Sequence, residues 1–504
     1  MNHDFPIDLG QLADVLTYNA ARPMLFGSGL FLWLFAGFGL VYYLLRGRTN
    51  LRLAFVILFS YYFYYKSSGW YLGLLAVVTL SDFCLARGIA RANRLWKRRT
   101  LLVVSLLIDL GLLGYFKYTN FLLTIFGQLT GHSLALSDIF LPVGISFFTF
   151  QSLSYTIDVY RGQIAPLSRL LDYAFYVSFF PQLVAGPIVR ARDFIPQIRK
   201  PLYVSADMLG RGVFLIVGGL IKKTVISDYI SLNFVDRVFD SPMLYSGLEN
   251  LLAVYGYALQ IYCDFSGYSD MAIGLALLLG FRFNDNFRTP YCSASISDFW
   301  RRWHISLSSW LRDYLYIPLG GNRHGKWRQH LNLMITMLLG GLWHGASYNF
   351  IVWGGLHGAA LVVHKVWRQL TGGGRRQAEE GRKPSFWWAV GHVFSVLLTF
   401  HFVCLCWVFF RQSDMSQAWD MLVRICTDLH PELFTQVIAG YPWVFGLMLA
   451  GYLVHFIPQR VDQAGLRLVT HMPYVLQILL LALACYVVIQ TRSADVQPFI
   501  YFQF

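Results

Sequence analysis

The sequence predicts an all-α, polytopic integral membrane protein with roughly ten to thirteen transmembrane or re-entrant helices, at ~20 residues per crossing. Three observations carry that expectation. Of 504 residues, 56% are hydrophobic and only 13% charged, with a mean hydropathy of +0.48; a soluble domain could not hide that much apolar surface. Several long stretches are almost free of charge. The formal charge of +14 sits mostly at the ends of those stretches, as positive-inside loops require, so it points to the bilayer and not to nucleic acid.

Taken in order, residues 26–45 and 391–410 carry no charge, 101–116 carry only Asp109, and 441–457 and 473–490 are similarly apolar. Shorter or interrupted candidates are 54–65, 71–86, 140–155, 171–186, 209–220, 251–279, 329–342 and 351–363. Backbone in lipid must satisfy its own hydrogen bonds, so the short segments must be enclosed by protein. The opening residues are acidic, with Asp4, Asp8 and Asp14, so no cleavable signal peptide is expected and this end is placed outside. Basic clusters at 46–52 and 87–99 then lie inside, as does the polar linker GGGRRQAEEGRKPS (372–385), while 411–433 is placed outside. The organisation is read as a single membrane-embedded domain: N-terminal helices (1–140), a catalytic core (141–370), a polar cytosolic linker (371–385) and C-terminal helices (386–504). The seven cysteines match no zinc pattern and are read as small core residues; no metal site is expected.

Between 262 and 357 the apolar pattern is broken by polar, aromatic and glycine residues, and polar groups in a bilayer are costly and usually functional. In SDFWRRWHISLSSWLRDYLY (297–316), Ser297 is the expected N-cap, and Trp300, Trp303, Leu307, Trp310, Leu311 and Tyr314 recur at helical spacing. The run reads as one amphipathic helix, with His304 on the face of Trp300, Ser308 and Leu311. Either a hydrogen-bonded structural histidine or one with a direct catalytic or substrate-orienting role fits there. The following LGGNRHGKWR (319–328) reads as a tight basic turn, either a plain positive-inside loop or a contact for donor phosphates. Next, 329–344 reads as a buried helix on which Asn332, Thr336, Gly340 and His344 recur every four residues as a polar, small stripe. Sixteen residues at ~1.5 Å each span ~24 Å of a ~30 Å core, which sets His344 deep in the membrane. An ionisable residue at that depth is a functional candidate, and histidine suits the removal of a hydroxyl proton during attack on a thioester.

The runs FRTPYCSASISDFWRRWHISLSSWLRDYLYIPLGGNR and GGLWHGASYNFIVWGGLHG, with PVGISFFTFQSLSYTIDVYRG, SFFPQLVAGPIVR, YALQIYCDFSGYSDMAIG and the closing FIYFQF, resemble the membrane-bound O-acyltransferase family, in particular its bacterial branch that acylates cell-surface polysaccharides. The resemblance covers most of the chain after about residue 141. It implies a ring of helices around a central tunnel in the bacterial cytoplasmic (inner) membrane, with His344 as the catalytic residue and His304 as a second catalytic histidine. Asn332, Thr336, Trp303, Trp343, Ser308, Tyr262 and Asp264 are the candidate substrate contacts; Ser266 and Asp270 share the YCDFSGYSD motif with the last two. The resemblance further implies a thioester co-substrate (acetyl-CoA, or an acyl carrier protein as in the D-alanylating relatives) with no tightly bound cofactor. It implies a partner of the SGNH-hydrolase type and a surface polysaccharide as acceptor. Rival expectations are a proton-coupled transporter and a non-catalytic anchor for a secreted acyltransferase.

Overall fold

The computed structural model describes residues 9–20, 22–132, 134–184, 186–371, 386–491 and 499–500. The linker expected at 372–385 lies outside these, as do Asp4, Asp8 and residues 501–504 of the closing motif. Among the described residues every regular element is helical. They divide into two compact units, one within Met1–Ile216, Met271–Phe283 and Leu481–Gln503, the other within Val217–Asp270 and Asn284–Leu480.

In the first unit, α1 (Gly29–Leu44), α2 (Thr49–Ser68), α3 (Leu72–Arg91) and α4 (Leu95–Leu113) follow one another through short turns. They are joined by α5 (Ile145–Tyr160), α6 (Leu170–Ser178), α7 (Ala191–Ile198) and, as far as Ile216, α8 (Ala206–Leu220). Ser28 caps α1 by accepting from the Phe31 amide at 3.2 Å. The unit keeps a small polar centre. Asp82 of α3 accepts from Ser105 of α4 at 2.6 Å and from Ser152 of α5, whose hydroxyl also meets the Tyr173 hydroxyl at 2.7 Å. The stretch expected to span at 171–186 is broken instead. Helix α6 stops at Ser178 and a short helix restarts at Phe180–Leu183, because Pro181 has no amide hydrogen and its ring blocks a continuous turn. The break seats Phe180 among Phe38, Phe59 and Phe63, at ring-centre distances of 5.1–6.0 Å.

Then come α9 (Gly247–Leu278), a helix of 32 residues, α10 (Ile296–Arg302), α11 (Ile305–Leu311), α12 (Gly325–His344) and α13 (Tyr348–Leu370). The chain resumes with α14 (Phe386–Arg411), α15 (Met415–Thr427), α16 (Pro442–His455), α17 (Gln459–His471) and α18 (Tyr474–Thr491). Helices α12 and α13 touch backbone to backbone. A Cβ on Gly341 would strike the Phe350 carbonyl, one on Gly354 the Met337 carbonyl, and one on Gly358 the Met334 sulfur. Small residues at such a seam are how helices associate where water gives no help.

Among the described residues, four helical stretches are long and apolar enough to cross a membrane: Thr49–Arg91, Leu95–Thr130, Tyr348–Leu370 and Phe386–Arg411. Two sharply bent pairs, Pro431–Gly440 with Pro442–His455 and Gln459–His471 with Tyr474–Gln490, bring the number to six if each is one span. The 15-residue α8 belongs to the short class foreseen in the sequence, whereas α1, expected as a full span over 26–45, is a helix of only 16 residues. The cysteines depart in part from their expected place: Cys263, Cys404 and Cys406 are buried, but Cys84 and Cys426 are exposed on helix faces.

Overpacking the α12–α13 seam should destabilise the protein. Gly354→Val is expected to cost about 1–3 kcal/mol and to lower the thermal midpoint of the detergent-solubilised protein, while Gly391→Val, at a position with open space around it, should leave the midpoint in place.

Candidate active site

The two candidate histidines lie in the second unit, and the structure brings them together. His344 is the last residue of α12, at 2% exposure, and His304 is fully buried between α10 and α11. Their ring centres are 6.4 Å apart. Around the pair stands an aromatic cage. His344 faces Trp343 and Trp353 at 5.0 Å each and Phe410 at 5.3 Å; His304 faces Phe265 at 4.7 Å and Trp343 at 5.9 Å. Aromatic faces hold an imidazole in place by shape and quadrupole without occupying its nitrogens. Neither ring nitrogen of His304 has a hydrogen-bond partner among the described residues.

What aims His304 is a break that sequence periodicity does not foresee. The single helix expected over 297–316 is two helices, and the N-cap is Ser295, which accepts from the Asp298 amide at 3.2 Å. Ser297, the expected cap, meets His364 at 2.9 Å instead. Between the helices His304 takes φ 43°, ψ 56°, a left-handed conformation that costs a non-glycine residue on the order of 1–3 kcal/mol. The expected face shared by Trp300, His304 and Ser308 therefore does not form. Trp300 turns to His357 at 5.2 Å, and the Ser308 hydroxyl donates to the Trp303 carbonyl at 3.3 Å.

Asn286 holds the break. Its carbonyl accepts from the Ile305 amide at 2.9 Å, and its Oδ1 accepts from the Ser306 amide at 3.1 Å and the Ser306 hydroxyl at 2.9 Å. Its own Nδ2 donates to Ser269 at 3.1 Å. Alongside, the Arg288 amide donates to the Arg302 carbonyl at 2.9 Å. A backbone that leaves a helix exposes polar groups, and one asparagine here satisfies two of them, the Ile305 amide through its main-chain carbonyl and the Ser306 amide through its side chain.

The other predicted residues have different places. Asn332 and Thr336 are buried, as their stripe implied, but Asn332 donates to the Gly321 carbonyl at 3.2 Å and Thr336 bonds back to the Asn332 carbonyl at 2.7 Å. Asn332 thus anchors the tight turn, where Gly320, Gly321 and Gly325 all have positive φ. Trp303 packs into Phe287, Phe299 and Trp407 at 5.0–5.6 Å. Of the proposed substrate contacts, Trp343 touches both histidines. Asp264 pairs with Lys223 at 2.5 Å, and the same lysine meets Asp228 at 2.7 Å. Tyr262 lies against His455 at 4.6 Å, and Asp270 pairs with Lys222. Those two lysines sit in a π-helical stretch, Ile221–Ser227, so not every lysine is confined to a loop.

Sequence reasoning missed His357, which is fully buried and 4.7 Å from Trp353, the ring that also faces His344. Its four-residue offset from Trp353 on α13 was a readable signal; its contact with the ring that also faces His344 was not.

The sequence pattern of the membrane-bound O-acyltransferase family (MBOAT) matches residues 163–403, a span that includes both histidines. The chain is 41% identical over 406 residues to the probable alginate O-acetylase of Pseudomonas aeruginosa, covering 79% of this chain and 74% of that protein. The chain belongs to the membrane-bound O-acyltransferase family. Among its relatives in that family, the peptidoglycan O-acetyltransferase of Helicobacter pylori is 36% identical, over 82% of this chain and 81% of that protein. The teichoic acid D-alanyltransferase of Bacillus subtilis is 30% identical over 52% of this chain and 66% of that protein. As a membrane-bound O-acyltransferase it is an enzyme, and a multi-pass one.

If Asn286 positions His304, Asn286→Ala should lower kcat for acyl transfer about 10–100-fold through misplacement of the imidazole, with KM for the acyl donor little changed. Asn286→Asp, which keeps an accepting oxygen for Ser306, should recover part of the loss. Steady-state kinetics on the three proteins check this.

Proposed function

We propose that this enzyme takes an acyl group, acetyl in the first instance, from a cytosolic thioester such as acetyl-CoA and delivers it toward a hydroxyl of an extracytoplasmic polysaccharide. The enzyme would reside in the bacterial cytoplasmic membrane and work with a separate SGNH-type partner that completes the transfer. The observation that carries the reading is the buried pair His304–His344, 6.4 Å apart between ring centres inside an aromatic cage. The named activities of the relatives support the polysaccharide acceptor, since the first acts on alginate and the second on peptidoglycan.

The chemistry asked of the pair is general-base catalysis. His344 accepts the hydroxyl proton as the oxygen attacks the thioester carbonyl. The tetrahedral intermediate then collapses, the carbon–sulfur bond breaks, and the thiolate leaves with the proton returned by the imidazolium. The products are an O-acyl ester and a free thiol, so protons and electrons balance. His304 orients the acceptor oxygen or the carbonyl by hydrogen bonding. A site walled by Phe265, Trp343, Trp353 and Phe410 keeps the dielectric low, which strengthens each polar contact.

Purified protein given acetyl-CoA and an acceptor should release free thiol. His344→Ala should reduce that release by about 10²–10⁴-fold or more with the thermal midpoint unchanged; release at the wild-type rate would defeat the assignment. Mass spectrometry of surface polysaccharide from cells with and without the protein should show O-acetyl groups lost in its absence.

A further inference from the structure

The first unit holds a cleft of about 530 Å³ whose lining includes neither histidine of the pair. Its charged lining consists of Arg52, Arg192, Lys200 and Arg282 against a single carboxylate, Asp193, which itself lies 3.7 Å from Arg192. Arg52 is the unusual member. It sits in the first turn of α2, where the helix dipole is already positive, and only 2% of it is exposed. Its Nη2 reaches the Lys200 carbonyl at 3.4 Å, its guanidinium stands 5.7 Å from the Tyr42 ring centre, and its Nε and Nη1 are buried with no hydrogen-bond partner among the described residues. The nearby Asp172 does not serve it, being held by two bonds from Arg199 at 2.6 and 2.7 Å.

A buried guanidinium with unused donors is costly unless an anion completes it, and its planar fork matches phosphate oxygens. The walls are built and not loose. Tyr42 donates to the Leu279 carbonyl at 2.7 Å, and the Gln197 side chain accepts from the Arg282 amide at 2.9 Å and donates to the Arg282 carbonyl at 3.1 Å, fixing the turn that carries Arg282. Gly280 makes that turn at φ 84°, with the Leu202 side chain 3.0 Å from where a Cβ would stand.

We propose that this cleft binds a phosphate-bearing anion, with Arg52 gripping the phosphate from beneath and Lys200 and Arg282 closing over it from the rim. The phosphate has two possible sources, an anionic phospholipid headgroup or a soluble phosphate compound. The proposal stands independently of the acyl-transfer chemistry.

The test uses the full chain in nanodiscs of mixed phosphatidylglycerol and phosphatidylcholine, with native mass spectrometry for retained lipid. Inorganic pyrophosphate, titrated against detergent-solubilised protein, is the soluble probe. The wild type should retain phosphatidylglycerol or bind pyrophosphate. Arg52→Met should weaken that binding about tenfold or more, and the exposed double variant Lys200→Glu/Arg282→Glu, which leaves the buried floor intact, should weaken it as well. Lipid retention that pyrophosphate does not displace assigns the headgroup; pyrophosphate binding without lipid selectivity assigns the soluble phosphate. Binding of neither probe by the wild type, or unchanged binding in the double variant, overturns the proposal.

Discussion

The left-handed break at His304 is the constraint on which the site depends. A continuous helix through 297–316 would carry the imidazole round with Trp300 and Ser308. The break instead turns it against Phe265 and toward His344. Such a conformation persists only when its surroundings over-determine it. Here they do: Asn286 ties the first residues of α11, and Ser308 returns its amide and hydroxyl to His304 and Trp303. The strain is local, and its support is distant in sequence.

That distance explains what could be read in advance. The helical class follows from composition. His344 was legible because its whole argument is local, a polar stripe on an apolar helix followed by a glycine. The orientation of His304 was not, because the run SDFWRRWHISLSSW contains no glycine or proline to announce a break, and the residue that holds it lies eighteen positions upstream. The Ser178 break shows the opposite case, with Pro181 printed in the sequence. Asp264 and Asp270 stand out in the sequence as polar residues in an apolar helix, but their partners Lys223 and Lys222 lie on another segment, and pairing of that kind leaves no periodic trace.

The same physics accounts for the division of polar groups. Where lipid or apolar protein surrounds a charge, a partner must be supplied. Lys222 and Lys223 are neutralised by carboxylates, and Asp82 accepts hydrogen bonds from serine hydroxyls. The imidazole pair differs: its neighbours are mainly rings, which position it and leave hydrogen-bonding capacity at His304 for a substrate. Glycines at the α12–α13 seam let Trp353 approach closely enough to wall the pair from that side.

A structure of the enzyme with a non-cleavable thioether analogue of its acyl donor tests the central claim most directly. The account predicts the analogue's acyl carbon between the two imidazoles, with a His344 ring nitrogen within hydrogen-bond reach of the acceptor oxygen's position, about 2.6–3.2 Å directly or one water further. An analogue bound elsewhere, with Trp343, Trp353 and Phe410 still closed around His344 and no path to either imidazole, would contradict it.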